Sequence, residues 1–274
     1  MTITPTGIWK DLEQIREKSP LVHNITNYVA MNNTANALLA LGASPVMAHA
    51  QAEVCDMVNI ANALVINIGT LSDPWIRAMA AAGARAKERN IPIILDPVGA
   101  GATEYRTRTA RELLQTASPS IIRGNGSEIM ALHEPELHEP NLDKVGVATK
   151  GVDSSSASDL AIESARALNK KFGAVVCITG KTDYIVSQEQ TRVKNGDAMM
   201  PSITGLGCTA SALCGAFAAV NPDYHLAAAH AMAVMGISGQ IAAETAHGPA
   251  SLQVNFIDTL YQLSETHIQD YLRL

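Results

Sequence analysis

The stretch Thr204–Ala212, TGLGCTASA, places a thiol directly after two glycines that flank a single residue. Small residues continue from there toward LCGAF, so Cys208 falls where a helix is expected to begin. A helix starting at Gly205–Cys208 presents unpaired backbone N–H groups and the positive end of its dipole. Such an end stabilises an anion, including the charge on a phosphoryl group in transfer. Gly205 and Gly207 let the backbone approach that anion with no Cβ in the way. The same field is expected to lower the thiol from its ordinary value near about 8.5, which makes Cys208 a candidate base or nucleophile. A small residue packing at a helix start is the plainer alternative. No G-x-x-x-x-G-K-[ST] occurs in the chain, so an ordinary P-loop is excluded.

Asp96 ends the apolar run IPIIL and is followed by PVGAG, and Glu128 lies three residues past Asn125 in RGNGSE. Two acids at one sheet edge are candidates to hold magnesium, partly through waters. Taken singly, they also fit a turn-capping Asp96 and a first-turn Glu128 that complements the helix dipole. Arg123 and Thr179 follow their own apolar runs, where a guanidinium and a hydroxyl suit phosphate oxygens. An arginine at such an edge is otherwise often part of a surface ion pair. HEPELHEP, His133–Pro140, is not H-E-x-x-H, and Pro135 and Pro140 oppose a helix that would aim both imidazoles at one ion. An exposed acidic loop is expected there.

The elements that must position these residues follow a rhythm of short apolar runs and amphipathic stretches. ALVINIG, IPIILD, SIIRGN and GAVVCITGK read as strands. SDPWIRAMAAAGARAKER, TRTARELLQTA, GSEIMAL and SASDLAIESARALNKKF read as helices, with Ser72 as N-cap and Pro74 in the first turn of its helix. Alternation of this kind implies βαβ units and a mainly parallel sheet with helices on both faces. DYIVSQEQTRVKNGDAMM reads as antiparallel strands with a tight turn at Asn195–Gly196, and the chain after Gly205 reads as helical. With no linker, repeat or low-complexity segment, residues 1–274 are expected to form one three-layer α/β domain with an antiparallel extension. In open α/β sheets ligands bind beyond the carboxyl ends of the strands. That rule singles out 67–70, 96–101, 123–128, 179–181 and the glycine turn before Cys208.

The 274-residue chain is 47% hydrophobic but only 4% aromatic, with small residues suited to close helix–sheet packing. A net charge of −6 and no long basic run argue against nucleic-acid binding. The four cysteines form no C-x-x-C pair, so a zinc site or disulfide framework does not follow. The N-terminal stretch shows no apolar secretory core, and HLAAAHAMAVMGISGQIAAETA reads as a buried helix, not a membrane span. A cytoplasmic protein with reduced cysteines is expected.

SPLVHNITNYV, LGASPVMAHA, INIGTL, ILDPVGAGAT, RGNGSEI, TGKTDY and TGLGCTASA, in that order, resemble the hydroxyethylthiazole kinase family within the ribokinase-like group. The resemblance covers nearly the whole chain. It implies a ribokinase-like fold and ATP-dependent phosphorylation of the primary alcohol of 5-(2-hydroxyethyl)-4-methylthiazole, in salvage for thiamine biosynthesis. It further implies substrate contacts at Asn27, Met47 and Gly205, ATP contacts at Arg123 and Thr179, and Mg2+ near Asp96 and Glu128. A homotrimer with its sites at subunit boundaries is implied as well. Other ribokinase-like kinases usually carry an aspartate base where Cys208 stands. Here Cys208 is expected to position the alcohol and assist its deprotonation modestly, with the glycine turn of Gly205 and Gly207 supplying the anion hole. A kinase for a hydroxymethyl-pyrimidine or pyridoxal is the competing enzyme reading. Val46, Met47 and Ala48 suit a small, weakly polar ring better. A non-catalytic nucleotide-binding module would be expected to lack the acids or the glycine turn, and this chain retains both.

Overall fold

A computed structural model describes residues 2–133 and 155–274. The segment HEPELHEP lies outside the described residues beyond His133. Among the described residues, eight strands form one sheet in the order β2-β1-β3-β4-β5-β6-β7-β8. These are β1 Leu21–Ile25, β2 Ser44–Val46, β3 Ala63–Asn67, β4 Ile93–Asp96, β5 Ile121–Asn125, β6 Val175–Thr179, β7 Asp183–Val186 and β8 Gln190–Val193. Every pairing from β2 through β6 is parallel, and β7 and β8 are antiparallel.

The central strands β3, β4 and β6 are apolar at nearly every position because both faces of the sheet are covered there. Alternate residues enter different cores. Val22, Ala63, Val65, Ile94 and Ile121 pack with α1 (Pro5–Lys18), α2 (Met31–Leu41), α8 (Leu206–Ala218), α9 (Tyr224–Glu244) and α10 (Pro249–Gln262). Ile25, Leu64, Ile66, Leu95 and Ile122 face the opposite layer, which includes α4 (Asp73–Glu88), α5 (Glu104–Ala117) and α7 (Ser155–Phe172). Remaining helices are α3 (Val54–Ile60), α6 (Gly126–His133) and α11 (Glu265–Tyr271). The result is a three-layer α/β arrangement with an antiparallel end, as the alternation predicts.

Helix α8 lies against the middle of the sheet because it carries Gly215 where a Cβ would come within 2.9 Å of Val65 and 3.1 Å of Val22. Helix α9 is long and apolar enough to cross a membrane by composition, but 78% of its apolar window is buried in this core. Ser72 and Pro74 open α4 where predicted, although the Ser72 side chain makes no capping hydrogen bond.

One turn differs from the sequence expectation. The β7–β8 hairpin closes at residues 187–189, where Ser187 N–H donates to the Glu189 carbonyl at 2.8 Å. Asn195–Gly196 is not that turn. The Asn195 amide is buried: it donates to Gln240 at 3.1 Å and the Tyr271 carbonyl at 2.7 Å, and accepts from Arg273 N–H at 2.8 Å. The dipeptide therefore ties the end of β8 to the C-terminal helices instead of reversing the chain.

Candidate functional site

Parallel strands deliver their carboxyl ends to one edge of the sheet, and the register fixes which side chains meet there. Asn67 is opposite Asp96, and Asn125 is opposite Thr179. The first turn of α8 lies over the same edge. Together they border a cleft of about 420 Å³ lined by residues that include Asn27, Thr70, Asp96, Arg123, Glu128, Gly205, Gly207 and Cys208. That size suits a small-molecule site.

Gly205 caps α8 with a φ of 85°, a left-handed conformation that an L side chain adopts only with strain. The turn leaves the first N–H groups of α8 without intrahelical partners at the cleft wall, an arrangement that favours an anion. Gly207 is close-packed for a different reason: a Cβ there would stand 3.0 Å from Arg123 Nη1, so the guanidinium would have to give way. The guanidinium lies under the turn, donating from Nη1 to the Gly207 carbonyl at 3.0 Å and from Nη2 to Thr179 Oγ1 at 2.6 Å. Burial works against its charge, but Asp96, Cys177, Glu128 and Asp183 more than compensate and raise its pKa. Its Nε is buried without a partner among the described residues.

Asp96 is fully buried at the cleft floor. Burial lifts its carboxyl to about 7, against the pull of Arg123, Ser211 and Asn67. Asp96 Oδ2 accepts from Ser211 Oγ at 2.7 Å and from Asn67 Nδ2 at 2.8 Å, while Oδ1 has no partner among the described residues. The other acid is engaged differently. Glu128 Oε1 accepts from Gly99 N–H and Oε2 from Asn125 N–H, both at 2.8 Å.

A chain of amides runs from Asp96 to the thiol. Asn67 Oδ1 accepts from Gly69 N–H at 2.9 Å and from Asn27 Nδ2 at 3.0 Å, and Asn27 Nδ2 also donates to Cys208 Sγ at 3.1 Å. Asn27 Oδ1 is occupied by Ala30 N–H at 3.0 Å. The orientation of both amides is thereby set, and the sulfur receives a hydrogen bond from the protein. The expected lowering of the thiol pKa is reversed. Burial and the nearby Asp96 raise it, outweighing Asn27, Asn67 and Arg123. Cys208 is thus a neutral thiol near neutral pH, because it is packed into the wall where the sequence suggested an open helix end.

The edge brings together Asn27, Asp96, Arg123, Glu128, Gly205, Gly207 and Cys208. Thr179 touches Arg123 but does not line the cleft, and Met47, just past edge strand β2, does not line it either. The relay function of Asn67 and the support from Ser211 were not legible in spacing, although Asn67 falls in a strand-end segment that the sequence marks.

The comparisons with known proteins agree with this geometry. Residues 12–266 match the model of the hydroxyethylthiazole kinase family. A hydroxyethylthiazole kinase of Syntrophus aciditrophicus is 59% identical, with 100% of this chain and 98% of that protein covered. The solved hydroxyethylthiazole kinase of Pyrococcus horikoshii superposes with a TM-score of 0.86 at 40% identity, covering 98% of both chains. A ribokinase-like superfamily protein of Enterococcus faecalis shares the fold at a TM-score of 0.63 and 13% identity, with 97% of this chain and 96% of that one covered. A match spanning nearly the whole sequence, on a fold whose strand-end cleft carries the expected groups, means that the chain belongs to the hydroxyethylthiazole kinase family.

Proposed function

We infer that this protein transfers the γ-phosphoryl group of ATP to the primary alcohol of 5-(2-hydroxyethyl)-4-methylthiazole, as one kinase domain acting in the cytoplasm to salvage thiazole for thiamine biosynthesis. The observation that carries the reading is the meeting of the α8 N-terminus with the Asp96–Asn67–Asn27–Cys208 chain at one cleft. The N–H groups beside Gly205 and Gly207 receive the transferring phosphoryl group, and the thiol faces the attacking alcohol. The alcohol oxygen forms a bond to phosphorus as the bond to the ADP oxygen breaks, and the alcohol proton leaves to solvent or phosphate. A loose transition state keeps that proton until late, so positioning matters more than a strong base. A neutral Cys208 suits this division of labour.

Arg123 and Thr179 are assigned to the nucleotide, and Asn27 and Gly205 to the thiazole. Mg2+ fits Asp96 and Glu128: a buried Oδ1 without a partner and a second carboxylate border one cleft. Among the described residues no group of three or more His, Cys, Asp or Glu could hold a metal, so phosphate and water would complete the shell. When bound, the ion neutralises phosphate charge. Met47 stands outside its own chain's cleft, which supports a homotrimer in which a neighbouring copy closes the thiazole pocket.

The test is ADP release by purified protein with and without Mg2+, against hydroxyethylthiazole, hydroxymethyl-pyrimidine and pyridoxal. Mg2+-dependent turnover of the thiazole alone is expected. Turnover of another ring alcohol instead overturns the substrate assignment, and ATP binding with no turnover overturns the catalytic one.

A further inference from the structure

The side chain of Arg106, on α5, makes three hydrogen bonds among the described residues, and all of them go to backbone carbonyls. Nη1 donates to Ile68 O at 2.9 Å and to Val98 O at 2.8 Å, and Nη2 donates to Gly69 O at 2.9 Å. These carbonyls belong to the loops after β3 and β4, two of the walls of the cleft. No carboxylate pairs with Arg106 among the described residues.

A trans peptide is planar, and its N–H points opposite to its C=O. Each carbonyl drawn toward Arg106 therefore turns the following N–H the other way. The Gly69 N–H reaches Asn67 Oδ1 at 2.9 Å, and the Gly99 N–H reaches Glu128 Oε1 at 2.8 Å. The first contact anchors the amide chain that ends at Cys208, and the second anchors an acid of the cleft. Thr70 N–H, opposite the Gly69 carbonyl, has no hydrogen-bond partner among the described residues, and Thr70 lines the cleft.

We propose that Arg106 is a positioning residue that grips three peptide planes from outside the cleft. It thereby orients Asn67 and Glu128 and presents the Thr70 N–H to an oxygen acceptor on the bound substrate. The planar fork is essential, because a lysine ammonium is a single compact charge and cannot hold three carbonyls on two loops in fixed directions. Gly99 supports the packing: its φ is 76°, and a Cβ there would sit 3.2 Å from the Arg106 side chain.

The activity readouts rest on the kinase reading above, whereas a hydrogen-exchange readout rests on geometry alone. Arg106→Ala is expected to lower kcat about 100-fold, the scale of a small misalignment of reacting groups, while both KM values change less than about threefold. Guanidinium ion at tens of millimolar is expected to restore kcat saturably, and sodium chloride at equal ionic strength to leave it low. Arg106→Lys is expected to stay within about threefold of Arg106→Ala. In the protein without ligands, Arg106→Ala should speed amide exchange at 68–70 and 98–101, with β1 and α9 unchanged. Wild-type kcat in either variant, failure of guanidinium rescue, or faster exchange spread over the whole protein would overturn the proposal. Should the wild type not phosphorylate the thiazole, the substrate reading fails and the exchange result alone decides: local acceleration supports the grip, and none refutes it.

Discussion

Asp96→Asn should make the protein more stable while disabling it. The carboxyl rises from its ordinary 3.8 to about 7 on folding, with burial as the largest cause and Arg123, Ser211 and Asn67 already pulling the other way. Because the folded pKa is raised, the group's stabilising contribution is full below pH 3.8 and is lost progressively as pH climbs to about 7. A rise of roughly three pH units at about 1.4 kcal/mol each gives an order-of-magnitude burden of about 4 kcal/mol above pH 7. Asparagine can keep the acceptor for Ser211 and Asn67, but its amide N–H would occupy the unpartnered Oδ1 position, so a net gain of about 2–4 kcal/mol is the reasonable range. The pH dependence is the sharper expectation. The stability advantage of the variant should grow by about 1.4 kcal/mol per pH unit between pH 4 and 7 and then level off. Urea unfolding at fixed protein concentration in EDTA, read at several pH values, measures it. A difference between variant and wild type that does not change with pH would refute the reasoning. Turnover of the variant should fall at least about 100-fold, as expected when a stabilising change removes a functional charge.

Cys208→Ala should reduce kcat about tenfold, well short of the roughly 10²–10³ that losing an anion-hole donor removes, and loss on the larger scale would mean that the thiol does more than position the alcohol. Gly205→Ala should destabilise by about 1–2 kcal/mol in a thermal melt, since the strain comes from its positive φ and the nearest atoms to the new Cβ, on Ala30 and Asn33, stand at ordinary contact distances of 3.5 to 3.6 Å. Arg123→Ala removes the guanidinium that pulls down the buried carboxyls of both Asp96 and Asp183, so unfolding should ease by about 3–5 kcal/mol and the KM for ATP should rise. An unchanged KM for ATP would remove Arg123 from the nucleotide site.

Much of this site was legible because it rests on backbone rules. Apolar runs ending at Asn67, Asp96, Asn125 and Thr179 read as parallel strands, and parallel strands bring their ends to one edge. The glycine turn before Cys208 was legible for the same reason, since a positive φ at Gly205 leaves a mark in sequence. Properties that depend on the surroundings were not. The sign of the Cys208 shift is decided by burial against the sheet edge, which overrides the helix end that the sequence displays. Asn195–Gly196 carries the composition of a hairpin turn, yet the Asn195 amide is captured by partners from α9 and the C-terminal segment, far away in the chain. Arg106 sits in an ordinary amphipathic helix pattern, and nothing local marks that its three acceptors lie on two other loops.

The central claim is that the cleft phosphorylates the hydroxyl of the ethyl side chain. The most direct measurement is phosphorus–proton NMR on the product of a reaction of the protein with Mg2+, ATP and hydroxyethylthiazole. The account expects a phosphomonoester signal coupled to the side-chain methylene next to oxygen, formed in step with ADP. ADP formed alongside inorganic phosphate, with the thiazole unmodified, would contradict it.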